Sequence, residues 1–184
     1  MRVLGVDPGT ITSGYGVVAE EDHKLFHVVS GGISPSAKQP FPTRLKRIYE
    51  ELIKVIEQYR PHVIVVEDLF VSKNIKSALK LGHARGVALL AAVNSGLPVY
   101  EYTPLEVKLA VVGNGKAEKK QVQFMVKTLL DLQKVPHPTD AADALAAAIC
   151  HIHSSRLREM LRNPSSLRQA GRGVGSLMGS GRTR

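Results

Sequence analysis

Val3-Leu4-Gly5-Val6-Asp7-Pro8-Gly9 and His62-Val63-Ile64-Val65-Val66-Glu67-Asp68 are the two stretches on which the fold turns. Each is a short, unbroken apolar run that stops at an acid. Such runs fit strands covered on both faces, at the centre of a sheet. Working outward from the first, residues 14–20 and 25–33 read as two more strands with short connections, which makes a meander. Gly31-Gly32 marks a bulge or a close backbone approach. Residues 43–59 place Leu45, Ile48, Tyr49, Leu52, Ile56 and Tyr59 on one helical face. Thr43 is the expected N-cap, and Arg60 before Pro61 ends the helix.

Beyond the second run, residues 74–94 predict a long helix whose apolar face is Leu79, Gly82, Gly86, Leu89, Leu90 and Val93, with Gly96 just past its end. Arg85 lies between Gly82 and Gly86, where a second subunit would pack closely. Residues 99–102 form a short strand, Pro104 opens a brief helix, and Gly113-Asn114-Gly115 is a turn. Residues 118–130 are helical, with Val122, Met125, Val126 and Leu129 inward. A last helix spans about 140–158. The order is that of an α/β domain: a mixed five-stranded sheet with helices on both faces.

The chain has 184 residues, enough for one domain (1–158) and an appendage (159–184). A domain of this size buries roughly 70% of its unfolded surface and needs no disulfide. Cys150, the single cysteine, sits in an apolar run and reads as a small buried hydrophobe. No signal peptide or membrane span is legible, so the expected location is the cytoplasm. The net charge of +9 is uneven. From Arg156 onward there are seven arginines and one acid, Glu159, a balance of +6. This glycine- and serine-rich tail has too little apolar surface to order itself and suits either solubility or loose contact with phosphates.

The chemistry is expected at the strand ends, because ligands of α/β sheets sit outside their carboxyl edges. Asp7 and Glu67 end the two central runs. A third segment, Pro138-Thr139-Asp140-Ala141-Ala142-Asp143-Ala144-Leu145, sets Asp140 and Asp143 on one face of a helix. Capping alone would account for Asp140 as N-cap and Asp143 as an N3 acid. It accounts less well for the alanines around them, which let a helix approach a sheet closely. Four carboxylates brought together repel, and at least one should carry a raised pKa. Two magnesium ions, roughly 3.5–4 Å apart, would remove that penalty and support in-line phosphoryl displacement. Hard oxygen donors favour Mg²⁺, with Mn²⁺ as a substitute, over zinc. His151 and His153 are two apart, on different helix faces, and make no zinc pattern.

Basic residues narrow the substrate. Lys73, Lys76 and Lys80 share a stripe just after Glu67, and Lys108, Lys116, Lys119 and Lys120 surround the glycine turn. Each group alone equally fits a solvated surface. Together they flank the acids and suit DNA phosphates. Phe70 is either a core residue or a platform for an unpaired base.

These segments resemble the bacterial Holliday-junction resolvases of the RuvC family over about residues 1–155. The matching stretches are Gly5-Val6-Asp7-Pro8-Gly9, Glu67-Asp68-Leu69-Phe70, Val112 to Val122, and Pro138 to Leu145. The resemblance implies a ribonuclease H-like fold and a crossover junction endodeoxyribonuclease. It implies a homodimer on four-way junction DNA that nicks two strands of like polarity and leaves 5′-phosphate and 3′-hydroxyl ends, with branch-migration proteins as partners. It assigns Asp7, Glu67, Asp140 and Asp143 as catalytic metal ligands and Phe70 as the aromatic that engages the opened junction. Lys108 and Lys119 become basic residues near the scissile bond, and residues 74–94 the dimer helix. Two other classes remain at this stage. Asp7-Pro8-Gly9-Thr10 also resembles the first phosphate loop of sugar-kinase and actin-like ATPases, although those need two related domains. A non-catalytic DNA-binding module would use the lysines but has no use for four acids.

Overall fold

The computed structural model describes residues 1–68 and 74–162. Its elements in chain order are β1 (Arg2–Asp7), β2 (Ser13–Glu21), β3 (Lys24–Ile33), α1 (Phe41–Tyr59), β4 (Val63–Glu67), α2 (Ile75–Asn94), β5 (Val99–Tyr102), α3 (Pro104–Val112), α4 (Lys119–Leu129) and α5 (Thr139–Arg162). The strands form one five-stranded sheet in the order β3-β2-β1-β4-β5. β1 runs antiparallel to β2 and parallel to β4, and β5 is parallel to β4. The mixed sheet expected from the order of elements is therefore present, with the two acid-ended runs at its centre.

Strand alternation divides the core in two. Val3 and Val65 face a cluster with Val107, Val111, Val122, Val126 and the alanine-rich stretch of α5. Leu4, Val6, Ile64 and Val66 face the other way, onto Ile48, Leu52 and Ile56 of α1 and Ala88, Ala91 and Ala92 of α2. Cys150 is fully buried in the first cluster, as a small hydrophobe should be.

Several local expectations are corrected. Thr43 does not cap α1. The cap position is Pro40, without a side-chain hydrogen bond, and Thr43 lies inside the first turn. Phe41-Pro42 opens the helix because proline fits a first turn, where its missing N–H costs nothing. The bulge in the β2–β3 ladder is not at the glycine pair. Val17 pairs with Val29 and Val18 with His27, so Val28 is the extra residue. Gly31 and Gly32 mark the other alternative, a close approach: a Cβ on Gly31 would meet the Tyr15 ring, and one on Gly32 the Pro138 ring. On α2, the buried face is Ala84, Ala88, Ala91 and Ala92, whereas Leu79, Leu90 and Val93 are more than half exposed. The larger side chains were the natural candidates for the core. The sheet beside α1 takes the small ones instead, since alanines let α2 lie close.

The contact closest to the chemistry is that of α5 on the sheet. Gly5 of β1 and Gly14 and Gly16 of β2 lie beneath it. A Cβ on Gly5 would fall on the carbonyl oxygen of Ala144, one on Gly14 on the carbonyl oxygen of Asp140, and one on Gly16 within 2.6 Å of Leu145 Cγ. From the helix side the surface is equally small: Ala141, Ala142, Ala144, Ala146, Ala147 and Ala148 are all buried. Backbone rests on backbone, with almost no side-chain spacer.

The chain divides into two compact units, Met1–Ile152 and His153–Arg184. The first holds the whole sheet. Of the second, His153–Arg162 is the described end of α5, where Arg158 Nε donates to the Ser154 carbonyl at 3.2 Å. The appendage expected over 159–184 is helical as far as Arg162 and otherwise lies outside the described residues. Among the described residues no helix is long and apolar enough to cross a membrane.

Replacing Gly5 by alanine should force α5 off the sheet. The expected loss is about 1–3 kcal/mol or more, the range for overpacking a tight interior. Urea unfolding of Gly5→Ala against the parent protein measures it. An unchanged midpoint would refute the close contact.

Candidate active site

Register and alternation bring the first two acids together. Val6 of β1 pairs with Val66 of β4 in the parallel ladder, so Asp7 and Glu67 are the next residues on neighbouring strands. Both share parity with Val3 and Val65 and therefore leave the sheet on the α5 side. Behind Asp7 the chain turns tightly. The buried Ser13 hydroxyl donates to the Gly9 carbonyl at 2.7 Å and accepts the Gly9 N–H at 3.2 Å. This pins the Pro8–Thr12 connection and with it the exit of β1.

α5 delivers the other two. Asp140 is the second residue of the helix, not its cap, and its own carbonyl is the atom pressed against Gly14. Gly14 is the register partner of Asp7. Asp143, one turn on, faces the same way and forms an ion pair with Lys119, Nζ to Oδ2 2.5 Å. All four acids are at least partly withdrawn from solvent.

Their electrostatics follow from this crowding. Burial, then the charges of Glu67, Asp143 and Asp140, push the Asp7 carboxyl up to about 8, against a small opposing pull from Lys119. Burial and Asp143 raise Glu67 to about 7, opposed by Lys119 and Lys108. Asp143 is also raised: burial outweighs the hydrogen bond and charge of Lys119. Lys119 itself is raised. Burial works against its charge, and Asp143, Asp7 and Asp140 outweigh that. The pocket is thus over-supplied with negative charge, which lysine only partly balances.

Among the described residues, no three of these acids, or of other ligand-type side chains, stand close enough to enclose an ion as they are. The donor set is nonetheless that of a hard divalent cation: carboxylate oxygens on rigid elements, two of them pushed up to about 8 and about 7 by burial and then by their acidic neighbours. The Lys119 ammonium stands in for such a charge at Asp143.

The sequence-derived basic residues divide. Lys119 reaches the acids, and Lys108 acts on Glu67. Lys76 and Lys80 are exposed on the first turns of α2, and Lys116 and Lys120 are exposed around the turn that leads into α4. Phe70 and Lys73 lie outside the described residues.

Three features escaped the sequence reading. Ser13 gave no signal beyond its distance from Gly9. His151, weighed earlier as a zinc ligand, is buried, with Nδ1 3.1 Å from the Tyr102 hydroxyl and its ring 4.3 Å from that of Tyr100. Arg85, noted in the sequence only for lying between Gly82 and Gly86 on a helix that could pack against another subunit, reaches Glu101 and Asp68. Its Nη2 lies 2.8 Å from Glu101 Oε2 and 3.3 Å from Asp68 Oδ1. A lone arginine inside an alanine- and glycine-rich helix was the available clue.

Comparison with known proteins supports the same reading. The family model described as "Crossover junction endodeoxyribonuclease RuvC" matches residues 3–151. A protein of that description from Citrifermentans bemidjiense is 52% identical over 163 residues, which span 89% of this chain and 99% of that one. Another from Geotalea uraniireducens is 54% identical over 162 residues, 88% of this chain and 94% of that one. Among solved structures, Thermus thermophilus RuvC in complex with a Holliday junction substrate superposes with a TM-score of 0.81 and 37% identity, covering 85% of this chain and 96% of that one. The sheet order, the flanking helices and the sequence agree, and the chain belongs to the RuvC family of crossover junction endodeoxyribonucleases, enzymes that hydrolyse phosphodiester bonds in DNA.

Proposed function

We propose that this chain resolves four-way DNA junctions by paired, symmetric nicks, working as a homodimer. Asp7, Glu67, Asp140 and Asp143 would hold two Mg²⁺ ions in each subunit. The observation that carries the reading is the neighbouring placement of Asp7 and Glu67, on the face against which α5 sets its two acids. A pocket with protons on buried carboxylates near pH 7 is one that cations would complete. Ions bound there supply charge neutralisation at the scissile phosphate and an acidified water as nucleophile.

The chain's own residues do the rest. Asp7, on the rigid central strand, feels the charges of the other three acids and would help hold both ions. Glu67 holds the opposite edge, beside β5. Asp140 and Asp143 close the α5 side. Lys119 pairs with Asp143 and, being half exposed, would also meet an entering phosphate. Lys108, Lys116, Lys120, Lys76 and Lys80 would extend that contact along the backbone, and the sequence adds Lys73 and Phe70 as further DNA contacts. Acids without metal would repel DNA, which weighs against a purely binding role.

Two symmetric nicks need two sites, and α2 offers the means to join a second copy. Leu79, Leu90 and Val93 are exposed, and Leu45, Ile75, Leu79, Gly82, Gly86 and Leu90 line an open apolar groove. Gly82 and Gly86 have nothing within 4 Å of a Cβ position, so another helix would approach closely there. Branch-migration proteins would supply the junction, in the cytoplasm.

Three outcomes test this reading. Asp7→Asn should abolish nicking of a labelled synthetic junction in Mg²⁺ and leave junction binding within about threefold in a gel-shift assay, since 1.4 kcal/mol is tenfold and a buried, inward acid adds little to DNA affinity. Nicking at the parental rate would refute the assignment.

The same variant has a stability signature. The native Asp7 carboxyl titrates near 8 and the unfolded one near 3.8, so between these values the folded protein holds a proton that the unfolded chain has released. Stability of the metal-free protein should therefore fall as pH rises through that window, with Glu67 adding to the slope up to about 7. Asp7→Asn should flatten the slope and melt higher at pH 8, about 2–4 °C for each kcal/mol regained in a chain of this size. A steeper slope in the variant would contradict the crowding.

Leu79→Glu combined with Leu90→Glu should convert a dimer to a monomer by light scattering and replace paired nicks with single ones. A dimer that survives both charges would show that another face joins the copies.

A further inference from the structure

Arg85 is a side chain that this mechanism leaves unused. It extends from the middle of α2 to the ends of β4 and β5, where one guanidinium nitrogen serves both Glu101 and Asp68. Glu101 is the register partner of Val66, and Asp68 follows Glu67 directly, donating its N–H to the Tyr102 carbonyl at 2.9 Å. Alternation puts Val66, Asp68 and Glu101 on the α2 side and Glu67 on the α5 side. The arginine therefore ties the two strand ends together from behind the acid cluster. Asp68 and Glu101 have side chains 47% and 44% exposed. Ion pairs with acids that open to water contribute little to stability. The Arg85 Nε is buried without a hydrogen-bond partner, which is itself costly. What the arrangement does well is geometric: it fixes where β4 leaves the sheet, one residue after Glu67.

We propose that Arg85 is a positioning residue for the acid cluster, clamping Asp68 to Glu101 so that Glu67 leaves the sheet in one direction only. This rests on the metal-nuclease reading above. Groups that orient metal ligands from behind typically change metal affinity or activity by about 10- to 100-fold when removed. Arg85→Gln should accordingly raise the Mg²⁺ concentration for half-maximal nicking about tenfold. It should raise by a similar factor the Mg²⁺ needed for half of the metal-induced rise in melting temperature, measured without DNA. Junction affinity in the absence of metal should stay within about twofold, and Arg85→Lys, which keeps the charge, should recover most of the loss.

Unchanged Mg²⁺ midpoints in Arg85→Gln overturn the proposal, and so does a fall in nicking matched by an equal fall in metal-free junction binding, the mark of general unfolding. If Arg85→Gln does not fold, Glu101→Gln removes the shorter pair and is read in the same way: a several-fold higher midpoint supports the clamp, an unchanged one overturns it. Parental protein that neither nicks junctions nor responds to Mg²⁺ defeats the metal-nuclease reading and the clamp with it. A parental response beside unaltered variants defeats the clamp alone.

Discussion

The close seating of α5 on β1 and β2 is the constraint on which the rest of the molecule depends. Gly5, Gly14 and Gly16 on the strands and a run of alanines on the helix leave no room for a spacer. Most helices rest on a sheet through a layer of large side chains. Here the helix backbone itself touches the strands, and the first turn of α5 therefore stands directly beside the end of β1. A helix held farther out would carry Asp140 and Asp143 away from Asp7. The small residues thus serve the site more than the core, because burying glycine and alanine yields less hydrophobic stabilisation than burying leucine.

That stabilisation is made up elsewhere. Large, fully buried side chains lie on the strands and in α1: Leu4, Val6, Ile48, Leu52, Ile64 and Val66, with Leu145, Ile149 and Ile152 farther along α5. The rigid sheet so formed absorbs the cost of placing carboxylates where they repel. Burial first, and then the neighbouring carboxylates, hold the carboxyls of Asp7, Glu67 and Asp143 above their ordinary range. Added positive charge would relieve such crowding, and Lys119 supplies part of it at Asp143.

The two faces of α2 separate small side chains from large ones. Its alanines go inward against the sheet and α1, while Leu79, Leu90 and Val93 remain outside. In an isolated subunit the larger side chains would have been the better ones to bury. Their exposure follows from a fold that needs α2 to lie close, and it leaves an apolar surface beside two bare glycines. Arg85 links this helix to the strand ends that carry the acids.

Much was legible in the chain alone. The apolar runs ending at Asp7 and Glu67, the helical spacing of α1 and the alanines around Asp140 and Asp143 led to the sheet, its composition and the four acids, because strand and helix periods are local properties. Family resemblance carried the same residues to an activity. Tertiary structure decided what local pattern cannot: which face of α2 is buried, that Asp140 lies inside the helix and does not cap it, that Val28 bulges while Gly31 and Gly32 yield to neighbouring rings, and that Lys119 reaches Asp143. Each depends on which surfaces meet across distant parts of the chain, and spacing along the sequence holds no record of that. The period of a helix says which residues share a face, and only the partner it packs against determines which face is turned inward.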